Sequence, residues 1–107
     1  MVIIETTVFT RRIKELMPDD DYQELQSVLI RTPDTGDVIR NSGGIRKVRW
    51  SAAGRGKRGG VRVAYYWRVS ADQLLMLYVY AKNEQADLTP DQLKVLRNLV
   101  AEELKRE

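Results

Sequence analysis

A chain of 107 residues with 43% hydrophobic side chains has matter for one small domain over 1–107 with one core. Cysteine and histidine are both absent, which excludes disulfides, a thiol nucleophile, the commonest metal ligand and the usual neutral-pH base. The net charge of +3 divides unevenly: nine of the 18 basic residues lie between Asp37 and Asp72 with no carboxylate among them, so the remainder sets nine against 15 and carries −6.

The first residues, Met1-Val2-Ile3-Ile4-Glu5, lack the basic region of a signal peptide. No apolar run approaches the roughly 20 residues that span a bilayer, so a cytoplasmic chain is expected. Residues 2–9 are rich in β-branched side chains and predict a first strand. Phe9, Ile13, Leu16 and Met17 then recur at helical spacing as far as Pro18, which ends the element. Asp19 or Asp20 is placed to cap a second helix that buries Tyr22, Leu25, Val28 and Leu29. Residues 32–37 and 41–44 read as loops.

Three strands are predicted next, over 45–51, 61–69 and 74–80. The first alternates Arg46, Val48 and Trp50 with Ile45, Lys47 and Arg49. The second alternates Val61, Val63, Tyr65 and Trp67 with Arg62, Ala64 and Tyr66. The third is almost wholly apolar, as a covered strand is. Short connections make these three an antiparallel meander. Thr89, Pro90, Asp91 and Gln92 then spell a capped helix start, with Leu93, Leu96, Leu99, Val100 and Leu104 as its apolar stripe. The sum is an α+β domain: a small, mainly antiparallel sheet with two N-terminal helices and one C-terminal helix. One face of such a sheet need not be covered. The face bearing Lys47, Arg49, Arg62 and Tyr66 is the expected open one.

The stretch Gly54-Arg55-Gly56-Lys57-Arg58-Gly59-Gly60 lacks the GxxxxGK[ST] order and opens no helix, so it is not a P-loop. Its glycines let the backbone approach phosphates while Arg55, Lys57 and Arg58 neutralise them. A solvated hairpin loop is the plain alternative. Stem cations at Lys47, Arg49 and Arg62 favour contact with nucleic acid.

Tyr80, Lys82, Asn83 and Glu84 close the third strand with a hydroxyl, an ammonium, an amide and a carboxylate. Cleaving RNA needs little more. A ribose 2′-OH must lose its proton and attack the adjacent phosphorus, the added negative charge must be held, and the 5′ oxygen must be protonated. Clustered cations meet the second need by preorganised electrostatics. Crowding is also expected to lower the pKa of a lysine or tyrosine in the cluster.

The runs 43–49, 56–66 and 80–89, with Gly43-Gly44-Ile45-Arg46-Lys47-Val48-Arg49 as the first, resemble the RelE/ParE superfamily of bacterial toxins over nearly the whole chain, and the HigB-type branch most. The resemblance implies a RelE-like fold and a toxin of a type II toxin–antitoxin module. It further implies a ribosome-dependent endoribonuclease, an mRNA interferase that cuts mRNA in the ribosomal A site with no metal and no cofactor, restrained by an antitoxin of the HigA type. By position, Lys47 and Arg49 match cations flanking the scissile phosphate, and Arg62 matches the arginine that stabilises the transition state. Lys82 and Asn83 stand where relatives carry strand-end basic groups. Arg55, Lys57 and Arg58 match a loop facing ribosomal RNA, and Arg46 and Tyr66 join them as expected RNA or ribosome contacts. Asn83 replaces a second arginine, and the histidine of several HigB relatives is missing. The acid and base therefore stay open among Tyr80, Lys82 and Glu84, with Lys82 first. A gyrase-poisoning relative of the same fold and a non-catalytic RNA-binding module are the competing functions.

Overall fold

The computed structural model describes residues 1–51 and 60–105. The elements run β1 (Val2–Glu5), α1 (Thr7–Leu16), α2 (Asp19–Arg31), β2 (Asp37–Val38), β3 (Arg46–Trp50), β4 (Val61–Arg68), β5 (Gln73–Ala81) and α3 (Pro90–Leu104). The sheet order is β1-β5-β4-β3-β2, with β1 parallel to β5 and every other pair antiparallel.

The strand predicted over 2–9 is corrected at its second half. It stops at Glu5, and a helix begins at Thr7. Thr6 decides this. Its Oγ1 accepts from the Phe9 N–H at 3.0 Å, capping the helix, and donates to the Leu77 carbonyl at 2.9 Å. One hydroxyl thus starts α1 and continues the pairing along β5 where β1 ends. The β-branched run 6–8 yields to this cap because helix entry lets Phe9, Ile13 and Met17 bury their side chains.

The second helix also differs in its cap. Pro18, extended at φ −61° and ψ 150°, holds the cap position, and no side chain caps the helix. Asp19, Asp20 and Asp21 instead occupy the first turn, where each carboxylate gains about 0.3–1 kcal/mol from the helix dipole. Leu25 and Leu29 are its fully buried residues. The two-residue β2 has no period to betray it in sequence, and only its Asp37 falls within the loop read over 32–37. It pairs Asp37 with Lys47 and Val38 with Arg46.

Helices pack on both faces of the sheet, so the face expected to be open is covered in part. Phe9, Ile13, Met17, Leu25 and Leu29 of α1 and α2 pack on Val48, Val61, Val63, Tyr65, Leu74, Met76 and Val79. On the opposite face, Leu96 and Val100 of α3 pack on Ile45, Ala64, Leu75 and Leu77, with Tyr66 and Tyr78 against them. The physical reason is that this face carries apolar groups at one end and cations at the other. Helix α3 covers the apolar end. Its cap matches the sequence reading in full: Thr89 accepts from Gln92 N, the Gln92 side chain returns to Thr89 N, and Pro90 begins the helix. The stripe is buried less completely than expected, with Leu99 and Leu104 still exposed.

A β-bulge settles which way β5 points its tyrosines. Ala64 pairs with Tyr78 but Tyr65 pairs with Met76, leaving Leu77 extra on β5. Before the bulge, Leu74 and Met76 face α1 and α2; after it, Val79 does. Strict alternation from Leu74 would have sent Tyr80 to the α1–α2 side. The extra residue sends Tyr78 and Tyr80 to the α3 side instead.

Candidate nucleic-acid-cleaving site

Residues directly opposite in antiparallel strands share a face. Arg49 lies opposite Arg62, and Arg62 opposite Tyr80, so three strands contribute one row. The adjacent row is Lys47, Ala64 and Tyr78. Both rows lie on the α3 side of the sheet; Ala64 and Tyr78 belong to the core that α3 covers, and the β3 ends of the rows, Lys47 and Arg49, are the less buried ones.

The first row descends into the protein. Arg49 is exposed, Arg62 is 6% exposed and Tyr80 is fully buried. Two guanidiniums directly opposite repel each other, an arrangement that a fold selected for stability alone avoids. A nearly buried cation also acts at lower effective dielectric than a surface one, so its pull on an anion is greater.

Lys47 borders the row from β3. Its Nζ donates to Asp87 Oδ1 at 3.0 Å, and the Leu88 N–H donates to the same oxygen at 2.9 Å. The lysine hydrogen bond is the main reason that the Asp87 carboxyl is held below its ordinary pKa, partial burial opposing it. Asp87 was not foreseen as a site residue. The signal available was its place in the run 80–89 that carries the resemblance, two residues before the Thr89 cap.

Tyr80 lies at the buried end. Among the described residues no partner reaches its hydroxyl at standard hydrogen-bond geometry, though the Asp87 carboxylate is near enough to act on it by charge and as a weak acceptor. Burial first, and the Asp87 carboxylate second, push the phenol up to about 12, with Arg62 pulling the other way. The expectation that crowded cations would depress a tyrosine here is therefore corrected. Desolvation outweighs the cation, and the group remains a neutral O–H at neutral pH. Its ring stacks beside Tyr78, with centroids 6.1 Å apart.

The remaining expected residues divide. Lys82 is exposed just past β5, with its N–H bonded to the Gly60 carbonyl at 3.2 Å, and Asn83 is exposed after it. Glu84 is engaged elsewhere: its carboxylate accepts from Arg12 Nη2 and from the Ala81 N–H. Arg12 also donates to the Val79 carbonyl at 2.7 Å and lies 5.0 Å from the Tyr78 ring centre, so this group closes the free edge of β5. Arg46 falls on the other face, opposite Tyr65, where Nη1 donates to the Gly36 carbonyl at 2.7 Å. Tyr66 is half-buried against the α3-side core and close over Gly44. Arg55, Lys57 and Arg58 lie outside the described residues. The structure thus brings together Lys47, Arg49, Arg62 and Tyr80, adds Asp87, and sets Glu84 and Arg46 apart from them. Among the described residues, no helix is long and apolar enough to cross a membrane.

A comparison with protein-family models gives a match over residues 1–107 to the family described as "RelE toxin of RelE / RelB toxin-antitoxin system".

Proposed function

The chain belongs to the RelE toxin family, whose members are paired with an antitoxin, and from that premise we propose that it is a ribosome-dependent endoribonuclease, of the HigB type, that cuts mRNA in the ribosomal A site. An antitoxin of the HigA type is the corresponding partner. The observation that supports this reading best is the row Arg49, Arg62 and Tyr80 beside Lys47, three cations and a neutral hydroxyl at one place on the sheet.

Each part has a task in the chemistry. The 2′ oxygen, relieved of its proton, forms a bond to the adjacent phosphorus, and the bond to the 5′ oxygen breaks as that oxygen gains a proton. Arg62 and Lys47 hold the extra negative charge that develops on the phosphoryl oxygens. Arg62, nearly buried, is preorganised and needs little rearrangement. Tyr80, a neutral O–H because burial pushes its phenol up to about 12, is a proton donor rather than a base, and reaches a phosphoryl or leaving oxygen only when the site opens on the substrate. Lys82, exposed at the strand end, is the base in this reading. The set contains no histidine, so alignment of the substrate by the ribosome has to supply much of the rate.

Mapping mRNA ends in a translating extract tests the proposal. Added protein should give cuts at a fixed offset within the A-site codon, and Arg62→Ala should lower the cleavage rate by about 10²–10³-fold while ribosome association falls only modestly. Growth arrest that persists in an Arg62→Ala, Lys47→Ala double variant, with mRNA intact, would refute the nuclease reading and point to gyrase or another protein target.

A further inference from the structure

We propose that Asp87, anchored on the N-terminus of α3, positions the Lys47 ammonium in the site, and that Gln85 belongs to the same device; this rests on the ribonuclease reading. Lysine is the group in the site most in need of positioning. Its four-carbon stem has about 2 kcal/mol of rotamer entropy, and its ammonium has no fork to fix a direction. Arg62 and Tyr80 are held by burial, whereas the Lys47 side chain is 28% exposed.

The anchoring can be followed atom by atom. Asp87 Oδ1 accepts from Lys47 Nζ at 3.0 Å and from Leu88 N at 2.9 Å. The Asp87 carbonyl accepts from Gln85 Nε2 at 2.7 Å, and the same nitrogen donates to Gln92 Oε1 at 2.8 Å. Gln92 Oε1 accepts in turn from Thr89 N at 3.0 Å, within the capping box. A continuous set of bonds therefore runs from the helix start to the ammonium across β4.

Two alternatives fit less well. The capping box is complete with Thr89 and Gln92, so helix capping explains neither Gln85 nor Asp87. The ion pair joins side chains that are 28% and 65% exposed, and such pairs add under about 1 kcal/mol to stability. What the pair does achieve is a fixed place for a charge, and a misplacement of about 1 Å can cost on the order of 10²-fold in rate. The carboxylate's lowered pKa agrees with this. A group held ionised by its lysine is suited to orienting an ammonium and poorly suited to accepting a proton.

Single-turnover cleavage of mRNA on programmed ribosomes separates the cases, with thermal melting of every variant as a control for folding. Asp87→Ala should lower kcat about 10- to 100-fold with KM within about twofold. Asp87→Asn keeps an oxygen acceptor at the same place and should return to within about fivefold of the natural protein, and Gln85→Ala should lose a few-fold. In a Lys47→Ala background, adding Asp87→Ala should cost less than about twofold, because the residue acts through the lysine. Should Asp87→Ala fail to fold, Asp87→Ser and its Lys47→Ala double carry the same comparison. Full activity of Asp87→Ala, or a full additional loss in the Lys47→Ala background, overturns the positioning role. Equal loss in Asp87→Asn and Asp87→Ala overturns it in favour of proton transfer by the carboxylate. If the natural protein leaves ribosome-bound mRNA intact, the ribonuclease reading fails; if it cleaves and Asp87→Ala is indifferent, the Asp87 inference alone fails.

Discussion

Tyr80 combines two properties that rarely coincide in a residue kept for packing. Its side chain is fully buried, yet among the described residues its hydroxyl has no hydrogen bond of normal geometry. An unmet buried hydroxyl costs about 1–3 kcal/mol, so Tyr80→Phe should leave folding stability unchanged or raise it by about 1 kcal/mol. The same change should lower mRNA cleavage by about tenfold or more, since the donor is lost. Chemical denaturation and single-turnover cleavage of one variant check both halves. The pH dependence has a definite sign. A phenol raised to about 12 in the folded state favours folding fully below its ordinary value of 10.0, and that contribution is lost as pH climbs from there toward 12. The Phe variant should therefore lose less stability than the natural protein over that alkaline interval. None of this could be read from the sequence, where Tyr80 is one of five tyrosines and its hydroxyl's surroundings are unknown.

Among elements, α3 does the most to shape the site while touching it least. Its capped start was plain in the sequence because Thr89, Pro90, Asp91 and Gln92 act on their own backbone. Where it packs was not plain, because an apolar stripe states that a helix buries one side without naming the surface that receives it. Among the described residues of this helix, only Leu96 and Val100 are buried. Leu96→Ala should therefore cost about 2–4 kcal/mol and loosen α3 before the rest of the fold. Hydrogen exchange should show α3 amides losing protection ahead of those in β4 and β5. Cleavage should fall with them, since the loop holding Asp87 is tied to this helix. The opposite lesson comes from β1 and α1. Residues 2–9 have strand propensity throughout, but Thr6 caps a helix and the core stripe beginning at Phe9 prevails over propensity.

For the whole molecule, charge segregation decides how it meets a partner. The +9 segment and the −6 remainder separate charge along the chain, and Lys47, Arg49 and Arg62 of that segment share one side of the sheet, an arrangement that favours docking of that side on a polyanion. On the proposed ribonuclease reading, ribosome association should weaken steeply as salt rises. Arg49→Ala should lessen the slope of log affinity against log salt by about one, the signature of a single phosphate contact. Binding measured over a range of potassium concentrations checks this; an unchanged slope would remove Arg49 from the contact surface.

Some of this was determined by the sequence alone: the order of elements apart from β2, the antiparallel pairing of three strands, the cap of α3, and the placing of Lys47, Arg49 and Arg62 on one side of two strands. These follow from local periodicity and from side chains bonding their own backbone, forces that act within a few residues. Tertiary structure decided the rest. A single extra residue at Leu77 turned Tyr80 toward Arg62, α3 settled on the same face as the cations, Glu84 went to Arg12, and Asp87 reached across to Lys47. Each of those outcomes depends on register or on contacts between groups distant in the chain, and neither is written in the spacing of residues.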